Sequence, residues 1–170
     1  FIGLKTGARF GEILGLTRED VLADTNEINI DKTWDYKYKQ TFQKTKNIAS
    51  IRKVPVDRET IDILFRYMRW LDQFELETDQ GSLFNLKDLK TYSSSYNTRL
   101  AIILKELDIE PITMHKLRHT QASLLIAKDV PLELIAKRLG HTDTLMIRRV
   151  YGHLLKETED KGNRMIVGFL

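Results

Sequence analysis

The repeat of apolar residues changes character at Asp57, and that change limits the folds open to this 170-residue chain. From Ile28 to Trp34 and from Tyr36 to Phe42 the sequence is β-branched and aromatic, and Ser50 to Val56 alternates as a half-buried strand does. These three runs predict one small antiparallel sheet of about three strands, with Lys44 and Lys46 near a hairpin tip. Beyond Asp57, a plausible N-cap, apolar residues return every three or four positions. Ile61, Leu64, Phe65, Met68 and Leu71 form one stripe, widened by Trp70 and Phe74. Tyr96, Leu100, Ile103, Leu104 and Leu107 form a second, which stops before Pro111. The fold class is therefore α+β: a mostly helical domain with a small antiparallel sheet.

The remaining segments fit that class. Leu4 to Leu16 predicts a short helix, loosened by Gly7 and Gly11, whose apolar side is Phe10, Ile13 and Leu14. Glu75 to Thr91 is acidic and turn-rich, a surface loop with a short helical piece at Leu83 to Leu89. Thr113 caps a helix to about Lys128, buried through Leu117, Leu124 and Leu125. Asp129-Val130-Pro131 restarts the chain into a helix with the stripe Leu132, Ile135, Ala136 and Leu139, which Gly140 ends. Thr142 can cap the last segment, which runs to Tyr151. No repeat, low-complexity tract or linker divides the chain, so residues 1–170 are read as one domain.

Composition narrows the function less than charge placement does. There is no cysteine, which excludes a disulfide scaffold and thiolate metal sites, and no apolar run of membrane-spanning length. Phe1-Ile2-Gly3, with no Met and no signal pattern, is read as the start of a domain excised from a longer protein. Net charge is only +3, yet Tyr36 to Val54 holds six Lys/Arg and no acid. Such a stretch is either a solvated hairpin or one side of a polarised surface that meets phosphate.

Candidate chemistry gathers in two places. Arg9 and Glu12 share a helical face, as an ordinary ion pair or as an arginine held ready to grip an anion. His115, Arg118 and His119 occupy the first turns of a helix, where unpaired N–H groups favour anions. His115 and His119 have zinc-helix spacing, but Lys116 stands where a metalloprotease carries Glu, and the arginine between them disfavours a cation. No phosphate-binding Gly-rich loop and no GxSxG is present. Two arginines, three histidines, a lysine and a tyrosine suit attack by a phenol oxygen on a phosphodiester. The phenol must lose its proton, the arginines stabilise charge on the phosphorus oxygens, and a Lys or His⁺ protonates the leaving oxygen.

Taken together, TGARFGEILGLTREDV, HKLRHT and LGH followed ten residues later by the tyrosine of VYGHL resemble the catalytic domain of tyrosine recombinases. The likeness is greatest to phage and conjugative-transposon integrases, and it spans nearly the whole chain. The resemblance implies the tyrosine-recombinase catalytic-domain fold, with N-terminal DNA-binding domains outside this chain. It implies Arg9 as the first catalytic arginine, Glu12 as its supporting acid, and Lys44, preferred over Lys46, as the general acid. His115 and Arg118 fit the H-x-x-R box, His141 the histidine at the scissile phosphate, and Tyr151 the nucleophile. His119 and His153 match flanking positions and are read as structural, and Lys46 and Arg52 as DNA-binding. Between His141 and Tyr151, Leu145 and Ile147 imply more burial, and Arg148-Arg149 more charge, than relatives show.

The implied activity is site-specific recombination of DNA through a 3′-phosphotyrosine ester, with no cofactor, metal or ATP. The implied partners are double-stranded attachment sites, a homotetramer of the protein on DNA, and an accessory directionality factor, with no membrane. The implied location is the cytoplasm, at the nucleoid, in a bacterial or phage-encoded system. A type IB topoisomerase shares the chemistry without exchanging partners. A non-catalytic DNA-binding module would have lost an arginine or the tyrosine, and a small phosphate-binding enzyme is the remaining alternative.

Overall fold

A computed structural model describes residues 1–45, 47–152, 155 and 167 of the chain. Lys46 and His153 lie outside the described residues. Two short helices open the fold, α1 (Ile2–Thr6) and α2 (Phe10–Leu14). The expected single helix is broken at Gly7, which sits at φ 68°. A Cβ there would lie 2.1 Å from Gln121 Oε1, so the break needs glycine for its backbone and for space.

The β region forms two sheets rather than one. β1 (Val21–Leu22), β2 (Glu27–Ile30) and β5 (Arg52–Pro55) pair antiparallel in the order β1-β2-β5. A separate hairpin joins β3 (Lys32–Trp34) to β4 (Phe42–Lys44), with Lys32 opposite Lys44. Residues 36–40, expected as strand, are a turn. The cause is the Asp35 carboxylate, which accepts from the backbone N–H groups of Lys37, Tyr38 and Lys39 and so draws the chain into a loop. Lys44 consequently lies at the strand's exit, away from the hairpin tip.

α3 (Arg58–Gln73) is capped as expected: the Asp57 carboxylate accepts from the Thr60 N–H. Ile61, Leu64, Met68 and Leu71 are buried beside Val21, Ile28 and Val54 of the three-stranded sheet. Trp70 and Phe74 lie on the open side instead of widening the stripe. The 75–91 segment has no helix at Leu83 to Leu89; its one helical turn is 3-10, at Asp79–Gly81. Leu83 is buried, and Ser82 and Asn85 both donate to Leu14 O, so the segment straps the end of α2 rather than floating at the surface.

α4 (Ser93–Glu106) buries no residue completely, and Ile103 and Leu107 of its expected stripe are exposed. It nevertheless positions α5 (Met114–Ala127): Asn97 Oδ1 accepts the Met114 N–H, a capping role the Thr113 side chain does not take. Leu117 is buried as expected, whereas Leu124 is exposed. α6 (Leu132–Leu139) buries Ile135, Ala136 and Leu139 and ends at Gly140 with φ 71°. A last helix, α7, covers residues 145–152, and Asp143 rather than Thr142 accepts its first N–H, from Leu145. Ala122, Ile126, Ile135, Leu139, Ile147 and Tyr151 form the second core, which joins α5, α6 and α7.

Candidate functional site: an anion grip facing a tyrosine

Arg9 is the N-cap of α2, and the fold fixes it through Glu12. One Glu12 oxygen accepts the Arg9 backbone N–H at 2.8 Å, and the other accepts Arg9 Nη1 at 2.8 Å. Both readings of this pair thus meet in one geometry, with the ion pair orienting a guanidinium that stays partly open. Glu12 itself is buried and shared. Arg52 Nη2 donates to it at 3.0 Å, and burial, which alone would push the carboxyl up, is outweighed by Arg52 and Arg9. The Glu12 pKa is held below the ordinary value, so the group stays an anion at neutral pH.

The placement of Arg52 corrects the expectation that it meets DNA. Its side chain is buried; besides Glu12 it donates from Nε to Arg138 O at 2.7 Å and from Nη1 to Ser50 O at 2.7 Å. A guanidinium so occupied is scaffold. It also packs against Gly140, where a Cβ would come within 2.8 Å of Arg52 Nη1. The same arginine therefore braces both Glu12 and the turn that presents His141.

Arg118 projects from the second turn of α5 and is buried. Its Nη1 donates to Gly7 O at 2.7 Å, across the break between α1 and α2. Its Nη2 lies 3.0 Å from His141 Nε2. A guanidinium can only donate, so His141 accepts through Nε2 and carries its hydrogen on Nδ1. Burial, followed by Arg118, Arg9 and Arg52, lowers His141 to about 4, so the ring is neutral at physiological pH. Burial, then Arg9, lowers Arg118 to about 10, still protonated. Among the described residues no carboxylate hydrogen-bonds Arg118.

Tyr151 closes the site from α7. A cleft of about 210 Å³ is lined by Arg9, His115, Arg118, His119, His141 and Tyr151, with Leu139, Met146, Ile147 and Val150 as its apolar wall. Burial raises the Tyr151 pKa, and Arg118 offsets only part of this. The phenol is therefore protonated before any reaction. Ile147 is buried and holds α7 down, whereas Leu145, Arg148 and Arg149 face outward.

The structure thus gathers five of the six residues expected to be catalytic: Arg9, His115, Arg118, His141 and Tyr151. Lys44 is exposed at the end of β4 and does not line the cleft. One residue of the cleft was passed over. His119, expected to be structural, places Nδ1 2.6 Å from the Tyr151 hydroxyl. The signal was present in its position four residues after His115, which puts both rings on one face of α5.

Fold and site together make an α+β domain whose cleft sets two arginines and three histidines against a tyrosine. Residues 2–158 match the model of the phage integrase family, and the chain belongs to that family. It is 33% identical over 175 residues to the ICEBs1 integrase of Bacillus subtilis (strain 168), covering 94% of this chain and 46% of that protein. It is 30% identical over 178 residues to the integrase of Staphylococcus phage L54a, covering 95% and 49%. The chain therefore spans about half the length of these curated relatives. Its fold is similar to that of the Tn1549 transposon integrase solved in complex with a circular intermediate DNA (TM-score 0.74, 19% identity, 96% of this chain and 56% of that one). It is also similar to the XerA recombinase (TM-score 0.70, 23% identity, 94% and 55%).

Proposed function

We propose that the protein to which this domain belongs is a site-specific DNA recombinase that cleaves and rejoins strands through a 3′-phosphotyrosine ester. The observation that carries this reading is Arg118. A buried charge is costly unless an opposite charge accompanies it, and no carboxylate among the described residues hydrogen-bonds this one. The cleft it faces has room for a phosphate, with Arg9 and His141 on the same cavity wall and Tyr151 beside them. In this reading Arg9 and Arg118 hold the non-bridging oxygens and stabilise the charge that builds on them, without metal or ATP. His141 donates to the same phosphate, His115 lines its approach, and the Tyr151 oxygen attacks phosphorus in line with the leaving 5′-oxygen. Lys44, carried on β4, protonates that oxygen as DNA covers the exposed hairpin, with Lys46 as the adjoining basic contact. The ester conserves the energy of the broken bond, so the reverse attack reseals the strand.

The integrases and recombinases similar to this chain support double-stranded attachment sites as substrate; one neighbour was solved on a circular intermediate DNA. The finer assembly is a homotetramer on two such sites, with N-terminal DNA-binding domains supplied outside residues 1–170 and an accessory directionality factor. Its place of action is the nucleoid; among the described residues no helix is long and apolar enough to cross a membrane. The test is a nicked duplex carrying the attachment sequence of the element that encodes the protein. The full-length protein becomes joined to the 3′ end, and Tyr151→Phe abolishes the adduct. An undiminished adduct in that variant would end the assignment. Exchange of strands between two marked duplexes then separates recombination from topoisomerase-like relaxation.

A further inference from the structure

Arg9 and Arg118 stand on elements far apart in the sequence, so something has to set the distance between them. On the inner side the contact is plain: Arg118 donates to Gly7 O, and Gln121, further along α5, donates to Lys5 O. The N-terminal end of α5 is held differently. Its N-cap, Thr113, makes no side-chain hydrogen bond, and the Met114 N–H goes instead to Asn97 Oδ1 of α4 at 2.8 Å. Among the described residues no other side chain from outside α5 hydrogen-bonds the first turn, from which His115 lines the cleft.

Asn97 is itself fixed, although α4 buries no residue completely. The neighbouring Tyr96 donates its hydroxyl to Phe84 O at 3.1 Å, and its ring meets Phe10 edge-on with centroids 5.2 Å apart. Phe10 follows Arg9 directly and is buried with Leu14 and Trp34, in a cluster that Tyr96 and Met114 both join. One turn of α4 therefore touches the residue after Arg9 and the residue before His115. We propose that this turn is a positioning element of the site: Asn97 fixes the first turn of α5, and with Tyr96 it sets His115 and Arg118 in register with Arg9. The inference rests on the recombinase reading above, and it adds to that site two residues that do not line the cleft.

A side-chain amide oxygen suits this position. The first N–H groups of a helix have no acceptor within it, and an oxygen that takes one of them keeps the first turn from fraying. Fraying would not strip the cleft of its cations; it would let His115 drift and Arg118, one turn on, tilt. Catalysis by placed donors is steeply sensitive to such shifts, since a displacement of about 1 Å can cost about 10²-fold in rate. Asn97 thus acts on rate rather than on affinity, because the charges that attract DNA stay in the protein.

The deciding measurement is the rate of covalent adduct formation by full-length protein at saturating nicked attachment-site duplex, together with the duplex concentration that half-saturates it. Asn97→Ala should lower the rate by about 10- to 10²-fold and leave the half-saturating concentration within about twofold. Asn97→Asp keeps an oxygen where Oδ1 stands and should restore most of the rate. Leu100→Ala trims an apolar side chain of the same helix without touching the cap. It is the control for general loosening of α4 and should keep the wild-type rate. An Asn97→Ala protein as fast as wild type overturns the proposal. So does an Asn97→Asp protein as slow as the alanine variant, or a Leu100→Ala protein slowed to the same degree. Each of these leaves the recombinase reading in place, whereas a wild type that forms no adduct defeats both.

Discussion

Among the described residues two arginines are buried, Arg52 on β5 and Arg118 at the cleft, and the fold treats them differently. Arg52 has a carboxylate and two carbonyls as acceptors; its charge is matched inside the protein. Arg118 has one carbonyl, one imidazole and an opening. Burial of a guanidinium is thus no guide to its purpose, whereas the identity of its acceptors is. An arginine matched to an internal acid holds structure. One buried among neutral acceptors, as Arg118 is, has no hydrogen-bonded carboxylate among the described residues, and the proposed function gives it an anion from outside.

Breaking the Arg52 side of this contrast should have the largest effect. Arg52→Met leaves Glu12 charged and buried with only Arg9 to offset it, and should cost about 3–5 kcal/mol of stability in denaturant unfolding. Adding Glu12→Gln should recover part of that loss while impairing cleavage, because Arg9 loses its orienting acid. Arg118→Gln should do the reverse: adduct formation falls by about 10²–10³-fold, with melting little changed. A large loss of stability from Arg118→Gln with normal cleavage would erase the distinction.

The pH response sharpens the comparison further. His141 is depressed from 6.5 to about 4 in the folded state, so the unfolded chain binds more protons between those values, and stability should decline as pH falls through that window. Glu12 is also depressed, so its contribution is present above the ordinary carboxylate value of 4.5 and is lost as pH falls through its lower folded value. A melting series against pH should therefore decline in both windows, and His141→Gln should make only the upper decline shallower, since His119 is also lowered from 6.5. The smallest effect expected is from inorganic phosphate. At ten times its dissociation constant it should raise stability by about 1.4 kcal/mol in wild type and by nothing measurable in Arg118→Gln.

The parts of this molecule that were legible from residues alone are those set by local chemistry. Asp57 announced its own helix, Gly140 its own stop, and Arg9–Glu12 their shared face, because each partner lies within a few residues of the other. Arg52 was misjudged because its acid lies 40 residues away, and a run of cations viewed alone looks solvated. The turn at 36–40 was hidden because one carboxylate overrode the β propensity of its neighbours. The expected helix face of α4 was hidden because periodicity tells which residues could pack, not whether anything arrives to cover them. The contact of His119 with Tyr151 was hidden because its partner lies 32 positions on and on another helix. The same logic separates Lys44 from the rest of the site: it rides an exposed hairpin and is not among the residues that line the cleft.

The break between α1 and α2 has a further consequence. Its carbonyls are claimed from far along the chain: Lys5 O by Gln121 and Arg138, and Gly7 O by Arg118, across separations of 111 to 133 residues. Contacts that close loops of this size are among the last to repay their entropy during folding. A half-folded domain accordingly lacks the contacts that place Arg118 at the cleft opposite Tyr151. On the function proposed above, the order of folding acts as a safety catch, with strand cleavage available only once the whole domain is assembled.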